Sequence, residues 1–82
     1  MTVRITPEAA GQFESLPTLV KVRMRNVFMR LQRWPNVSGA RPLRRALAGQ
    51  YRMRTGDYRA QFRVEGDALL VTRVGHRDGF YE

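Results

Sequence analysis

Arg52, Arg54, Arg59 and Arg77 fall on what read as consecutive strands in the second half of the chain, in a segment that ends in His76 and Tyr81. A guanidinium is a planar, permanently charged fork that matches phosphate, and like charges gathered on one small surface repel unless an anion meets them. One reaction needs little beyond such a set: cleavage of RNA by its own 2′-hydroxyl, in which the substrate brings the nucleophile. The protein then supplies cations for the pentavalent phosphorane, a donor for the departing 5′-oxygen and a group that takes the 2′ proton. A charge about 4 Å from the phosphorane contributes on the order of 4 kcal/mol at an effective dielectric near ~20, so two or three arginines dominate the barrier. Arg54, Arg59 and Arg77 are the candidate catalytic cations, and Arg52, Arg73, Arg44 and Arg45 the candidate RNA-binding ones.

Proton transfer falls to other groups, because an arginine stays protonated at neutral pH and is a poor general base. His76 is the candidate acid or base, and Tyr81 a hydrogen-bond donor and stacking platform for an unstacked base. The competing reading of His76 is a structural one, as for any lone histidine in a basic segment.

Composition narrows the class. The chain has 82 residues, enough for a single domain (1–82) with one modest core. Fifteen Lys and Arg oppose seven acidic residues, for a net charge of +8, and all the basic residues but Lys21 are arginines. That bias favours bidentate phosphate contact, although a GC-rich genome would produce it too. Cysteine is absent and histidine occurs once, so neither a disulfide framework nor a thiolate or imidazole metal site is expected, and no cofactor is implied. The N-terminus has no basic-then-apolar leader and no apolar run approaches a membrane span, so the expectation is a cytoplasmic protein with no membrane partner.

The elements that must position the arginines follow from periodicity. Thr2 to Ile5 alternate as a short edge strand, and Thr6-Pro7-Glu8 opens a first helix carrying Ala9, Ala10, Phe13 and Leu16. Thr18 is expected to cap a second helix whose Val20, Met24, Val27, Phe28 and Leu31 form one apolar stripe, closed by Trp34-Pro35. Its cations, Lys21, Arg23, Arg25, Arg30 and Arg33, are either a solvated face or a contact for phosphates of a large RNA. Asn36 to Pro42 reads as a Ser/Gly/Pro loop.

Next, Tyr51 and Met53 alternate with Arg52 and Arg54, and Gly56-Asp57 makes a two-residue hairpin turn that sets Arg54 against Arg59 and Arg52 against Gln61. Glu65-Gly66-Asp67 turns the chain again into an apolar strand from Ala68 to Val74. A three-residue turn is expected there, pairing Phe62 with Leu70 and Tyr58 with Val74 and placing Arg73 and Arg77 with Arg59; a two-residue turn would put both on the other side. The fold class is α+β: an N-terminal strand and two helices packed on one face of a small, mainly antiparallel sheet whose cationic face is left open.

The segments LAGQYRMRTGDYRAQFRV and LLVTRVGHRDGFY resemble the C-terminal half of bacterial RelE/ParE superfamily toxins, in particular the RelE-like branch. The resemblance implies a RelE-like microbial RNase fold and a toxin of a type II toxin–antitoxin system, neutralised by a cognate antitoxin. For the RelE-like branch it further implies a ribosome-dependent endoribonuclease, an mRNA interferase that cuts translated mRNA in the decoding site amid ribosomal RNA. Arg52 and Arg54 match the family's basic pair, Arg59 its strand-three arginine, Arg77 the arginine after the Gly-His step, and Tyr81 its terminal tyrosine. Arginine stands where some members carry lysine, removing an amine acid or base, and the sequence stops without the extra C-terminal helix of some members. Two other functions are compatible with the same fold: a ParE-like inhibitor of DNA gyrase, and a basic RNA-binding protein without activity.

Overall fold

The structure, a computed structural model, describes residues 1–80. Strand β1 (Thr2–Ile5) leads into helices α1 (Pro7–Glu14) and α2 (Thr18–Leu31); β2 (Arg41–Pro42), β3 (Gln50–Thr55), β4 (Tyr58–Glu65) and β5 (Ala68–His76) follow, with 3-10 turns at Arg45–Leu47 and Arg77–Gly79. The five strands form one sheet in the order β1-β5-β4-β3-β2. β1 runs parallel to β5 and every other pairing is antiparallel. Two helices on a mixed, mainly antiparallel sheet is the expected α+β arrangement.

Local chemistry explains the helix starts. The Thr6 hydroxyl accepts the Ala9 N–H at 3.1 Å and Pro7 occupies the first turn, where its missing donor is no loss. For α2 the expectation is corrected: Pro17, not Thr18, is the cap, and its carbonyl accepts the Lys21 N–H at 2.9 Å. The α2 stripe buries Val20, Met24, Val27 and Leu31 against Met53, Ala60, Phe62, Leu69, Val71 and Val74 of the sheet. Phe28 packs on Phe13 of α1, and Trp34 stands edge-on to both Tyr51 and Phe62, closing the far end of the core.

The β3–β4 register is as expected, with Thr55 opposite Tyr58 across a Gly-Asp turn whose Gly56 has φ +61°. The β4–β5 register is not. Glu65 faces Ala68, so the second turn is also a two-residue Gly-Asp turn, and Phe62 pairs with Val71 rather than Leu70. Val74 pairs with Ala60 rather than Tyr58. A bulge then leaves Thr72 without a partner on β4, and beyond it Arg73 faces Gln61 and Gly75 faces Arg59. The extra residue restores the parity that a regular two-residue hairpin would have inverted, so Arg73 shares the face of Arg59 after all.

Groups remote in sequence hold this bulge. The Thr72 hydroxyl donates to the Gln61 carbonyl at 3.3 Å, and the Thr72 carbonyl accepts from the Thr6 hydroxyl at 3.5 Å. The Thr6 N–H donates to the Val71 carbonyl at 3.0 Å, and the Val74 N–H to Gln12 Oε1 at 2.9 Å. The backbone groups freed by the irregularity are therefore satisfied by the β1–α1 junction and by α1 itself.

Candidate functional site

Residues paired across a ladder share a face, so the register lays out the helix-free side of the sheet. Arg41, Arg52, Gln61 and Arg73 form one row running from β2 to β5. Arg54, Arg59 and Gly75 form the next. Arg52 and Arg59 are packed to 9% exposure and Gln61 to 8%, and Gln61 Nε2 donates to Gln50 Oε1 at 2.6 Å. Arg59 folds back on the first hairpin turn, its Nη1 donating to the carbonyls of Gly56 at 3.1 Å and Tyr58 at 3.3 Å.

This crowding shows in the electrostatics. Burial, then the charges of Arg59, Arg54 and Arg41, push the Arg52 guanidinium below its ordinary pKa. Arg59 is lowered likewise by burial and by Arg54 and Arg77, with Asp57 acting in the opposite sense. Both lose stabilisation of their charged form, which an anion on this face would restore. A groove of about 360 Å³ lies at the β2 edge of the rows, lined by Gly39, Ala40, Arg41, Pro42, Arg52 and Arg54.

The other end of the face is closed by the turn after β5. The Arg77 N–H donates to the Asp57 carbonyl at 2.7 Å, tying this turn to the β3–β4 hairpin. The Arg77 side chain is exposed, 3.8 Å from Asp57 Oδ1 and 3.7 Å from Asp78 Oδ1, pairs that solvent leaves weak. Phe80 lies under the Arg73 guanidinium, 4.2 Å from ring centroid to cation, and Arg73 Nη2 donates to the Gly79 carbonyl. A Cβ at position 75 would stand 3.3 Å from the Phe80 ring, so the glycine admits the aromatic ring.

The structure thus brings Arg52, Arg54, Arg59 and Arg73 onto one face, with Arg77 at its end. Arg73 is already engaged by the C-terminal turn. His76 does not join them: it pairs with Tyr58 on the helix-facing side and meets that ring edge-on, centroids 5.2 Å apart. Its Nδ1 lies 3.2 Å from the Asp78 N–H, which it accepts, and 3.2 Å from Asp78 Oδ2. These two contacts suit different protonation states, since accepting the N–H requires a bare Nδ1 and pairing with the carboxylate a protonated one. Arg44 and Arg45 are exposed on the β2–β3 connection, where residues 41–47 line a separate hollow of about 740 Å³ and Arg45 takes a left-handed φ of +58°. Tyr81 lies outside the described residues.

Sequence reasoning missed Arg41, because a strand of two residues carries no readable alternation, and Phe80, whose place depends on the fold of the last turn. The side taken by His76 was legible, since residues two apart on a strand share a face and Val74 is core. Among the described residues no group of His, Cys, Asp and Glu is placed to hold a metal ion, and no helix is long and apolar enough to cross a membrane.

A sheet with helices on one side and paired arginines on the other defines a small α+β protein with a strongly cationic face. Comparison with known proteins makes this specific. Residues 3–79 match the family of the ParE toxin of the type II toxin–antitoxin system parDE. Toxin RelG of Mycobacterium tuberculosis is 35% identical over 83 residues, spanning 98% of this chain and 94% of the relative. Among solved structures, the RelBE2 toxin–antitoxin complex of M. tuberculosis matches with a TM-score of 0.82 at 33% identity, covering 93% of this chain and 96% of the matched one. The isolated E. coli RelE toxin matches with a TM-score of 0.76 at 14% identity, over 92% of this chain and 82% of that one, a likeness of fold. The chain belongs to the RelE/ParE superfamily and is a toxin of a type II toxin–antitoxin system.

Proposed function

We propose that the protein is a ribosome-dependent endoribonuclease that cuts translated mRNA, held in check by a cognate antitoxin. The observation that carries this reading is the double row of guanidiniums on the helix-free face, two of which, Arg52 and Arg59, are packed to 9% exposure. Solved relatives accompanied by antitoxins support the partner.

In the reaction, the ribose 2′-oxygen bonds to the adjacent phosphorus as the phosphorus–5′-oxygen bond breaks, leaving a 2′,3′-cyclic phosphate and a free 5′-hydroxyl. Arg54, Arg59 and Arg77 stabilise the added negative charge of the phosphorane. Arg52 and Arg41 hold the flanking phosphates along the groove, and Arg44 and Arg45 follow the strand further out. Tyr81 contacts the substrate base. His76 caps the turn that carries Arg77, and its side of the sheet argues for a positioning role over direct proton transfer.

The matched family carries the ParE name, so gyrase inhibition is the second reading. Primer extension on a reporter transcript after induction separates the two. Breaks at codon positions only in translated RNA are expected, abolished by Arg77→Ala or Tyr81→Ala. Toxicity unchanged in both variants, or blocked supercoiling with intact mRNA, overturns the ribonuclease. Neither effect would leave a basic RNA-binding protein.

A further inference from the structure

Arg41, Arg54 and Arg59 press on the charge of Arg52, and Arg54 and Arg77 on that of Arg59. Arg73, in the same row as Arg52, is turned toward the end of the chain instead. Its ladder neighbour is the neutral Gln61, its guanidinium lies over the Phe80 ring at 4.2 Å from the centroid, and its Nη2 donates to the Gly79 carbonyl. A guanidinium does both at once because the flat of the fork rests on a ring while its edge donates; an ammonium is a point charge without that shape. Gly75 leaves room for the stack, since a Cβ there would stand 3.3 Å from the ring.

What this pair holds is the turn Arg77–Gly79. At its entry the Arg77 N–H donates to the Asp57 carbonyl at 2.7 Å, and His76 Nδ1 accepts the Asp78 N–H at 3.2 Å. At its exit the Phe80 N–H donates to the Arg77 carbonyl at 3.0 Å, closing the turn on itself, and the Arg73–Phe80 pair joins that exit to β5. The Arg77 guanidinium is exposed, and carboxylates at 3.7 and 3.8 Å are too loose to aim it. Its place over the face therefore follows from the backbone of the turn. A displacement of about 1 Å is enough to cost a positioned group about 100-fold in rate.

We propose that Arg73 and Phe80 form a clamp that positions Arg77 for RNA cleavage, Arg73 acting through the turn and not as a ligand of the RNA. The inference rests on the ribonuclease reading above, and it departs from the expectation drawn from sequence, in which Arg73 binds RNA. The flat of its guanidinium and one of its donors are committed to Phe80 and Gly79 before any substrate arrives. Phosphate is left to Arg41, Arg52, Arg54, Arg59 and Arg77.

The test compares wild type with Arg73→Gln, Phe80→Leu, Phe80→Tyr and the double variant Arg73→Gln/Phe80→Leu. A melting temperature near wild type verifies each fold, since neither side chain belongs to the buried core. Hydrogen exchange of the Phe80 amide should speed at least fivefold in Arg73→Gln and Phe80→Leu, with the amides of α2 unchanged. Single-turnover cleavage of ribosome-bound mRNA should fall at least tenfold in both and no further in the double variant, as expected of two groups acting as a unit, and stay within threefold of wild type in Phe80→Tyr, which keeps the ring. Affinity for single-stranded RNA and its salt dependence should be unchanged in Arg73→Gln, whereas an arginine bound to phosphate takes about 0.7 from the logarithmic slope when it is lost. A slope reduced by that amount assigns Arg73 to the RNA, weaker RNA binding in Phe80→Leu makes the ring a platform for a base, and unchanged exchange or independent losses mean that the two side chains do not act together; each overturns the clamp. Faster exchange with undiminished cleavage overturns its role in the reaction. A wild-type protein that cuts no translated RNA overturns the ribonuclease reading and that role together, while exchange, read without cleavage, still decides on the clamp by itself.

Discussion

Arg54 and Arg59 face each other across the β3–β4 ladder, an arrangement that costs about 0.2–1 kcal/mol in a sheet. Arg54→Gln removes that pairwise repulsion. It should raise the melting temperature by about 2–4 °C, as roughly 0.5 kcal/mol does in a domain of this size, while lowering mRNA cleavage at least tenfold. Thermal melts and primer extension on the same preparation check both halves. At the far end of β5, His76→Ala and His76→Asn distinguish two roles. Asparagine supplies an acceptor for the Asp78 N–H but cannot move a proton as imidazole does. Cleavage retained in the Asn variant and lost in the Ala variant identifies a cap that positions Arg77; loss in both identifies a proton carrier.

Between elements, the deciding feature is the bulge at Thr72. The β3–β4 register was legible because a Gly-Asp pair with no spare residue pins the hairpin, and alternation of Tyr51 and Met53 with Arg52 and Arg54 leaves one solution. The β4–β5 register was not, because the residues that stabilise the bulge, Thr6 and Gln12, lie some sixty positions upstream and carry no local signal. The expected face of Arg73 was nevertheless right, reached through a different turn and a compensating irregularity. Thr72→Val removes the hydrogen bonding of its hydroxyl to Gln61 and should lower the melting temperature by about 4–8 °C, the equivalent of about 1 kcal/mol. Gly75→Val should displace Phe80 from the face and reduce cleavage more than it reduces stability, measured by the same pair of assays.

At the scale of the whole molecule, one small core supports a surface with a net charge of +8. Phe62 is fully buried, stacked on Tyr51 and met edge-on by Trp34. Phe62→Ala should cost about 3–5 kcal/mol, a large share of the roughly 4–12 kcal/mol available to a chain of this length, and leave little folded protein by circular dichroism at 37 °C. With five arginines on phosphates, binding to single-stranded RNA should fall with salt at a slope of about −3.5 on logarithmic axes, and by about 0.7 less in Arg54→Gln. A slope near zero would mean that the arginine rows do not hold the RNA.

The position of β5 in the sheet has a consequence for biosynthesis. This last strand of the described chain lies between β1 and β4, parallel to the earliest strand, so the two halves of the sheet join only once it has been made. Arg73, Gly75 and the turn bearing Arg77 arrive with it. A partly synthesised polypeptide therefore lacks the assembled arginine face, which forms only when the last described strand has emerged and paired.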